Sequence, residues 1–181
     1  MSGDKGRINS RAKGSEYERK VAKELGNWWG EEFHRTPMSG GLHWKKDNRV
    51  AGDIVTPPDS VYPFVTECKK REGWSFEQLL KGTGEVEKWW KQVTRDSSET
   101  GLYPLLIFAK NFSPDYVMIQ MTVYMLLFQN YREHIEDAPR MATFTITLPD
   151  DEQGGRVILL LDDFLSKFSK EDVMAGLSLP V

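Results

Sequence analysis

The chain has 181 residues, 39% hydrophobic and 12% aromatic, which supplies the apolar core of one domain and argues against disorder over most of its length. A single cysteine excludes a disulfide framework, and the polar, charged N-terminus excludes a signal peptide. The net charge of −3 hides an asymmetry, because residues 1–95 carry a net +4 and residues 96–181 a net −7. We therefore expect a soluble, cytoplasmic protein. Its basic first half is suited to contact a polyanion, and ordinary compositional drift is the alternative explanation of the asymmetry.

The first part of the chain predicts a basic arm, a helix and two strands. Residues 1–13 are polar and basic without an apolar period, which predicts a flexible N-terminal arm ahead of a single domain over 14–181. Apolar residues at 15–29 fall on one helical stripe, and Ser15 with Glu18 has the form of an N-terminal capping box. Strands are predicted at 53–56 and 61–69, with a proline-containing turn at 57–60.

The second part predicts a mixed α/β domain. Helical spacing returns at 74–93 with a break at Gly82 and Gly84, and 102–109 is apolar on both faces, as in a buried strand. The apolar run 117–128 is too short to span a bilayer, and the pattern of residues 116–128 does not separate strand from helix. The last predicted elements are an edge strand at 143–148, a strand at 157–161 and a helix at 162–168 capped by Asp162 or Asp163.

Two short segments carry the residues with chemical potential. In the strand 61–69 the side chains of Glu67 and Lys69 share one face, because they are two residues apart, and Cys68 points to the opposite, packed face. Asp53 opens the preceding strand, and the intervening length fits two adjacent antiparallel strands. We therefore expect the carboxylates of Asp53 and Glu67 to lie close together.

Neighbouring carboxylates repel each other when both are ionised, and a hard divalent cation relieves that repulsion. Mg²⁺ typically takes one or two carboxylates, and the backbone carbonyl of Cys68 offers a further oxygen ligand. Such an ion makes bound water more acidic, and Lys69 beside it can orient that water or offset charge on a phosphate. These groups indicate phosphodiester hydrolysis. A plain Glu67–Lys69 ion pair on an exposed strand is the structural alternative.

The surrounding motifs resemble the PD-(D/E)xK nuclease superfamily, and within it the archaeal- and phage-type Holliday-junction resolvases. Members of that group begin their first helix with Lys-Gly-x-x-x-Glu-Arg, which matches residues 13–19. An Arg and a Ser-Gly pair follow, matched by Arg35 and Ser39-Gly40, and then Asp-Ile and Glu-x-Lys, matched at 53–54 and 67–69. The similarity covers residues 11–80, and Gly52 stands where the superfamily name has Pro.

The resemblance implies a restriction-endonuclease-like fold, in which helices flank a mixed β-sheet, with a catalytic core over 14–110 and extra C-terminal strands over 111–181. It implies a Mg²⁺-dependent DNA endonuclease, with Mn²⁺ able to substitute, that acts as a homodimer on four-way junctions in recombination and repair. Asp53 and Glu67 would be metal ligands, Lys69 the catalytic lysine, and Glu18 a further carboxylate of the metal site. The setting would be a bacterial, archaeal or phage-infected cell.

Basic and polar residues flank the proposed site along the chain, and we assign them to DNA contacts. The set comprises Arg11, Lys13, Arg19, Arg35, Ser39, Lys45, Lys46, Arg49, Lys70 and Arg71. If these residues reach phosphates, DNA affinity falls steeply with salt. A solvated loop around a core tryptophan is the alternative for the stretch 43–49.

Other functions stay open at this point. A different specificity within the superfamily, such as a restriction, repair or exonuclease activity, is the second reading. A catalytically silent DNA-binding protein is the third, although a silent relative would usually have lost one of Asp53, Glu67 or Lys69. The Ser39-Gly40-Gly41 stretch is too short for a P-loop, so no nucleotide cofactor is expected, and the three histidines lack zinc-helix spacing.

Overall fold

The computed structural model describes residues 10–37, 51–134, 141–148 and 154–177, with side chains for all of these except 10–11 and 130–134. The helices are α1 Ser10–Trp29, α2 Phe76–Leu80, α3 Gly84–Thr100, α4 Met121–His134, α5 Leu161–Lys167 and α6 Lys170–Gly176. The strands are β1 His34–Arg35, β2 Ile54–Val55, β3 Phe64–Lys70, β4 Tyr103–Ala109, β5 Tyr116–Gln120, β6 Thr143–Ile146 and β7 Arg156–Leu160. No helix within these ranges is long and apolar enough to cross a membrane.

Five strands form one mixed sheet in the order β3-β4-β5-β7-β6. β3 and β4 pair in parallel, since α2 and α3 connect them, and the remaining pairs are antiparallel. β1 and β2 form a separate two-stranded antiparallel ribbon. The structure confirms the predicted mixed sheet flanked by helices, and the later strands extend the same sheet that contains β3.

Helices cover both faces of this sheet. One core joins it to α1, α4, α5 and α6, and its members include Tyr17, Val21, Leu25, Trp29, Cys68, Ile107 and Phe164. The other core joins it to α2 and α3, and its members include Val65, Trp74, Val86, Trp90, Val93, Phe108 and Ile158. β4 contributes to both cores, which explains why its sequence is apolar at every position rather than alternating.

Four sequence-based expectations about elements need correction or completion. α1 begins at Ser10, so residues 10–13 are helical and Ser15 lies within the helix, where it cannot be its cap. Leu160 is the N-cap residue of α5, and the two aspartates proposed for that role lie in the first turn. The ambiguous run at 116–128 is a strand followed directly by a helix.

A buried ion pair attaches α3 to the sheet. Arg156 of β7 donates from Nη1 to Glu87 Oε2 of α3 over 2.6 Å, and both residues are less than 10% exposed. The guanidinium also lies 5.7 Å from the centroid of the Trp90 ring. A buried charge that loses its partner keeps its desolvation cost, so this pair makes the packing of α3 sensitive to either residue.

This ion pair gives the first prediction. Arg156→Leu should lower the free energy of unfolding by about 3–5 kcal/mol, because it leaves the Glu87 carboxylate buried without its main partner. The double variant Glu87→Leu/Arg156→Leu should lose less, because no uncompensated charge is left. Urea denaturation monitored by circular dichroism measures both values. Equal losses in the single and double variants would contradict a role for the charge pair.

Candidate active site

The candidate site lies at the free edge of β3, the edge not paired with β4. The backbone N–H of Asp53 donates to the Thr66 carbonyl over 2.8 Å, and Gly52 forms a parallel bridge with Thr66. The prediction of two antiparallel neighbouring strands is therefore wrong: the 52–53 segment runs parallel to β3, and β2 pairs with β1 instead. The turn at 57–60 does not close a hairpin between the two segments.

Gly52 allows this close approach of two backbones. Its φ is +79°, and a Cβ at this position would collide with the carbonyl group of Thr66. Only glycine combines a positive φ with the absence of a side chain. The superfamily name has proline at this position. Here Gly52 instead allows a close backbone contact with Thr66, and this contact holds Asp53 against β3.

Thr36, the residue that follows β1, binds the side of the 52–53 segment that faces away from β3. Thr36 donates its backbone N–H to the Asp53 carbonyl over 2.8 Å and its hydroxyl to the Gly52 carbonyl over 2.9 Å. The Asp53 backbone is therefore bonded on both sides, to β3 and to the residue that follows β1. Its carboxylate is directed back to β3, where Oδ2 accepts the Cys68 N–H over 2.9 Å.

Asp53, Glu67 and Lys69 meet at this edge, as expected, although a parallel segment rather than an antiparallel strand brings Asp53 there. The Lys69 ammonium contacts Glu67 Oε1 and lies 3.5 Å from Asp53 Oδ2. Glu67 is almost fully buried, with 2% of its side chain exposed, whereas Asp53 and Lys69 are about one quarter exposed. One ammonium group is thus shared by two carboxylates, one of which has little access to water.

Gln92 is a site residue that sequence reasoning missed. It extends from α3, and its Nε2 donates to Glu67 Oε1 over 2.8 Å. It lies 25 residues beyond Glu67, on a helix that reads as an ordinary amphipathic segment, so no local signal marks it. The packing of α3 over β3 alone brings the amide to the carboxylate.

The charges of the site perturb one another. Burial, followed by the charge of Asp53, raises the pKa of Glu67 to about 7, although Lys69 acts in the opposite direction. Burial alone would lower the pKa of Lys69, but the two carboxylates outweigh it and raise that pKa above the ordinary value. Burial and the same carboxylates hold the pKa of the Cys68 thiol well above its usual range, so this thiol stays protonated and unreactive.

Glu18 lies on α1 and pairs with a different cation. Its Oε2 accepts a hydrogen bond from Nε of Arg35 over 2.7 Å, and both side chains are largely buried. Among the residues that the structure describes, no three histidine, cysteine, aspartate or glutamate side chains are grouped closely enough to hold a metal ion. The role of Glu18 as a metal ligand stays a prediction, and in this arrangement Glu18 orients Arg35.

The oxygen atoms at the β3 edge fit a hard divalent cation. The carboxylates of Asp53 and Glu67 face one compensating ammonium, which leaves the site with excess negative charge. The N–H and C=O of one strand residue point to the same edge, and the Cys68 N–H points to Asp53, so the Cys68 carbonyl faces this edge as well. Two carboxylates and a carbonyl are oxygen donors of the kind that Mg²⁺ selects.

The residues assigned to DNA contacts separate into three groups. Lys13, Lys70 and Arg71 line one cavity of about 570 Å³ beside α1, and Arg19 is exposed on the same helix. Arg35 is engaged by Glu18. The remaining predicted positions lie outside the described residues: Ser39, Lys45, Lys46, Arg49 and the side chain of Arg11.

The raised pKa of Glu67 predicts how stability depends on pH without metal. The folded protein binds this proton more tightly than the unfolded chain does. The resulting stabilisation is therefore complete below the ordinary pKa of 4.5 and is lost as pH rises through about 7. Between these values the unfolding free energy of the wild type should fall more steeply than that of Glu67→Gln, measured by urea denaturation in a chelator. Glu77→Gln, on the exposed face of α2, serves as the control, and parallel wild-type and Glu67→Gln profiles would contradict the prediction.

Known proteins match this chain along most of its length. A family model described as "Phage putative PDDEXK endonuclease" matches residues 9–175. Protein D14 of Escherichia phage T5 is 32% identical over 108 residues, which cover 58% of this chain and 66% of that protein, so the match spans just under two thirds of the relative. The structure of Archaeoglobus fulgidus Hjc, a Holliday junction resolvase, aligns with a TM-score of 0.40 at 14% identity, over 86% of this chain and 98% of that one.

The family match confirms the resemblance that the motifs indicated. It includes α1, the β1–β2 ribbon, β3 and α3, and therefore every residue gathered at the free edge of β3. Asp53, Glu67 and Lys69 stand in the order Asp, then Glu-x-Lys, that the family name describes. The chain belongs to the phage PDDEXK endonuclease family, whose members are nucleases.

Proposed function

We propose that this chain is a Mg²⁺-dependent DNA endonuclease that cuts four-way junctions as a homodimer. The observation that carries the proposal is the meeting of Asp53, Glu67 and Lys69 at the free edge of β3, beside the Cys68 carbonyl. An acidic pair, a cation and an outward-facing backbone oxygen supply the groups that hydrolysis of a phosphodiester needs.

Each of these groups has a distinct role in the proposal. The carboxylates of Asp53 and Glu67, together with the Cys68 carbonyl, would hold the metal ion. When bound, a divalent ion supplies Lewis acidity, which makes water more acidic and offsets negative charge on a phosphate oxygen. Lys69, which contacts both carboxylates, would orient the attacking water or neutralise the charge that develops on the phosphate.

Two neighbouring contacts support the geometry of this site. Gln92 donates to Oε1 of Glu67 from a neutral amide, which adds a second contact to the carboxylate oxygen that Lys69 touches. Glu18 holds the Arg35 guanidinium, and Arg35 is adjacent in sequence to Thr36, which bonds the Asp53 backbone. In this proposal Arg35 contacts a phosphate of bound DNA.

The choice of a branched substrate rests on the motif that opens α1 and on the loop elements that follow it. Residues 13–19 match the Lys-Gly-x-x-x-Glu-Arg start of the resolvases, and Arg35 with Ser39-Gly40 matches their loop. Resolution of a junction requires two symmetric cuts and therefore two active sites, which is the reason to propose a homodimer.

Removal of either carboxylate tests the catalytic role. Asp53→Asn and Glu67→Gln should each lower the cleavage rate by at least about 100-fold, because each removes a charged metal ligand. DNA affinity measured in a chelator should be retained, which separates a catalytic loss from a folding loss. Glu77→Gln is the matched exposed control and should cut at the wild-type rate. If both variants cut DNA at the wild-type rate, Asp53 and Glu67 are not part of the active site.

The substrate is tested with a four-way junction, a duplex and a single strand of matching sequence, each incubated with Mg²⁺ or Mn²⁺. Paired symmetric nicks on the junction alone, together with a dimer by sedimentation, are the expected result. Degradation of linear duplex or single strands would replace the junction assignment with another specificity of the same family. No cleavage of any of the three DNAs would contradict the endonuclease assignment for this chain.

Metal binding has a readout that does not depend on catalysis. At a Mg²⁺ concentration about 100 times the dissociation constant, the metal-free protein should gain about 2.7 kcal/mol of stability, because the ion binds only the folded state. The gain should be visible as a higher melting temperature and should be absent in Glu67→Gln. An equal rise in the melting temperature of Glu67→Gln would show that the ion binds at a different site.

A further inference from the structure

The loop between β4 and β5 presents a phenylalanine fully to solvent. Phe112 is fully exposed, although a benzyl group normally gains free energy by burial. Its φ is +57°, and within the described part of the chain it is the sole non-glycine residue with a positive φ. A bulky residue in this conformation is strained, so the loop holds Phe112 outward against both hydrophobicity and backbone preference.

Hydrogen bonds fix the loop in this form. The Lys110 N–H donates to the Ser113 hydroxyl over 3.0 Å, which closes a turn around Phe112. The Asn111 N–H donates to Glu72 Oε1 over 2.8 Å, which ties the loop to the segment that follows β3. The exposed ring is therefore carried on a turn that is bonded at its base and to its neighbour.

The same loop borders a basic cavity. The cavity has a volume of about 570 Å³ and includes Asn111 in its wall, next to Phe112. Four cationic side chains and two carboxylates surround it: Lys13, Lys20, Lys70, Arg71, Glu16 and Glu72. Asp115 pairs with Lys20, so the other three cations of the lining outnumber its two carboxylates by one. Lys70 also lies over the Tyr17 ring.

This surface is within reach of DNA bound at the candidate active site. Lys69 points to the active-site side of β3 and Lys70, the next residue, lines the cavity. Glu67 and Glu72 are five residues apart, so their backbones are separated by at most about 17 Å. That distance is half a helical turn of B-DNA, which repeats about every 34 Å.

We propose that Phe112 stacks on an unstacked DNA base while the basic cavity holds the adjacent phosphates. The proposal rests on the proposed function, since it names the DNA feature that the endonuclease selects. Aromatic rings stack on any base, so the contact does not require a particular sequence. In a continuous duplex both faces of every base are already covered. Phe112 therefore favours DNA in which a base is exposed, at a branch point, a bulge or a single strand.

The test measures binding of the full chain in a chelator, so that no DNA is cut. The probes are a four-way junction, a duplex with one bulged base, a single strand and a continuous duplex. Phe112→Ala should weaken binding to DNAs with an exposed base about 5- to 100-fold and leave the continuous duplex within about twofold. Phe112→Trp should retain the wild-type values. The relative losses on junction, bulge and single strand identify which source of unstacked base is read.

Two further variants exclude a folding effect. Phe112→Gly removes the strain of the positive φ, so this variant should melt at a higher temperature than the wild type. It should nevertheless lose the preference for DNAs with exposed bases. Leu80→Ala removes another exposed apolar side chain, on α2, and should bind every DNA as the wild type does. Wild-type binding by Phe112→Ala, or equal losses on the junction and the continuous duplex, would overturn the proposal.

Cleavage separates this proposal from the one on which it rests. If the wild type cuts DNA and Phe112→Ala binds and cuts as well as the wild type does, the endonuclease assignment stands and the stacking site is wrong. If the wild type cuts no DNA but Phe112→Ala loses its selective binding, the stacking site stands and the catalytic assignment is wrong.

Discussion

The shared position of the Lys69 ammonium between two carboxylates is the interaction on which the rest of this structure depends. Glu67 is almost without access to water, and Asp53 adds a second negative charge beside it, so the Lys69 ammonium offsets the repulsion between the two carboxylates. The same excess of negative charge that raises the pKa of Glu67 provides the attraction for a divalent ion.

Backbone contacts position Asp53, whereas side-chain contacts position the carboxylate of Glu67. Asp53 belongs to a segment bonded on one side to β3 and on the other to the residue after β1, and Gly52 permits the close approach. Glu67 is fixed from above by α3 through Gln92, and α3 is attached to the sheet by the buried pair of Glu87 and Arg156. A small site is thereby held by three separate parts of the fold.

Successive residues at the carboxyl end of β3 serve opposite faces of the sheet. The Lys69 side chain lies on the α3 side of the sheet, where it contacts the two carboxylates. The Lys70 side chain lies on the α1 side, where it lines the basic cavity beside the loop that carries Phe112. The alternation of side chains along the strand thus connects the proposed cleavage site with the proposed DNA-binding surface. In these proposals a protein of net negative charge offers a local basic surface to a polyanion.

The sequence by itself determined what depends on local pattern: the helical stripe of α1, the doubly apolar β4, and the shared face of Glu67 and Lys69 two residues apart on one strand. It also carried the order Asp, then Glu-x-Lys, that identifies the family. Tertiary structure alone decided the parallel bridge of Gly52 to Thr66, the pairing of Glu18 with Arg35, and the approach of Gln92 to Glu67. These contacts join residues far apart in the chain, and neither periodicity nor spacing records which distant backbone or helix will pack against a given edge.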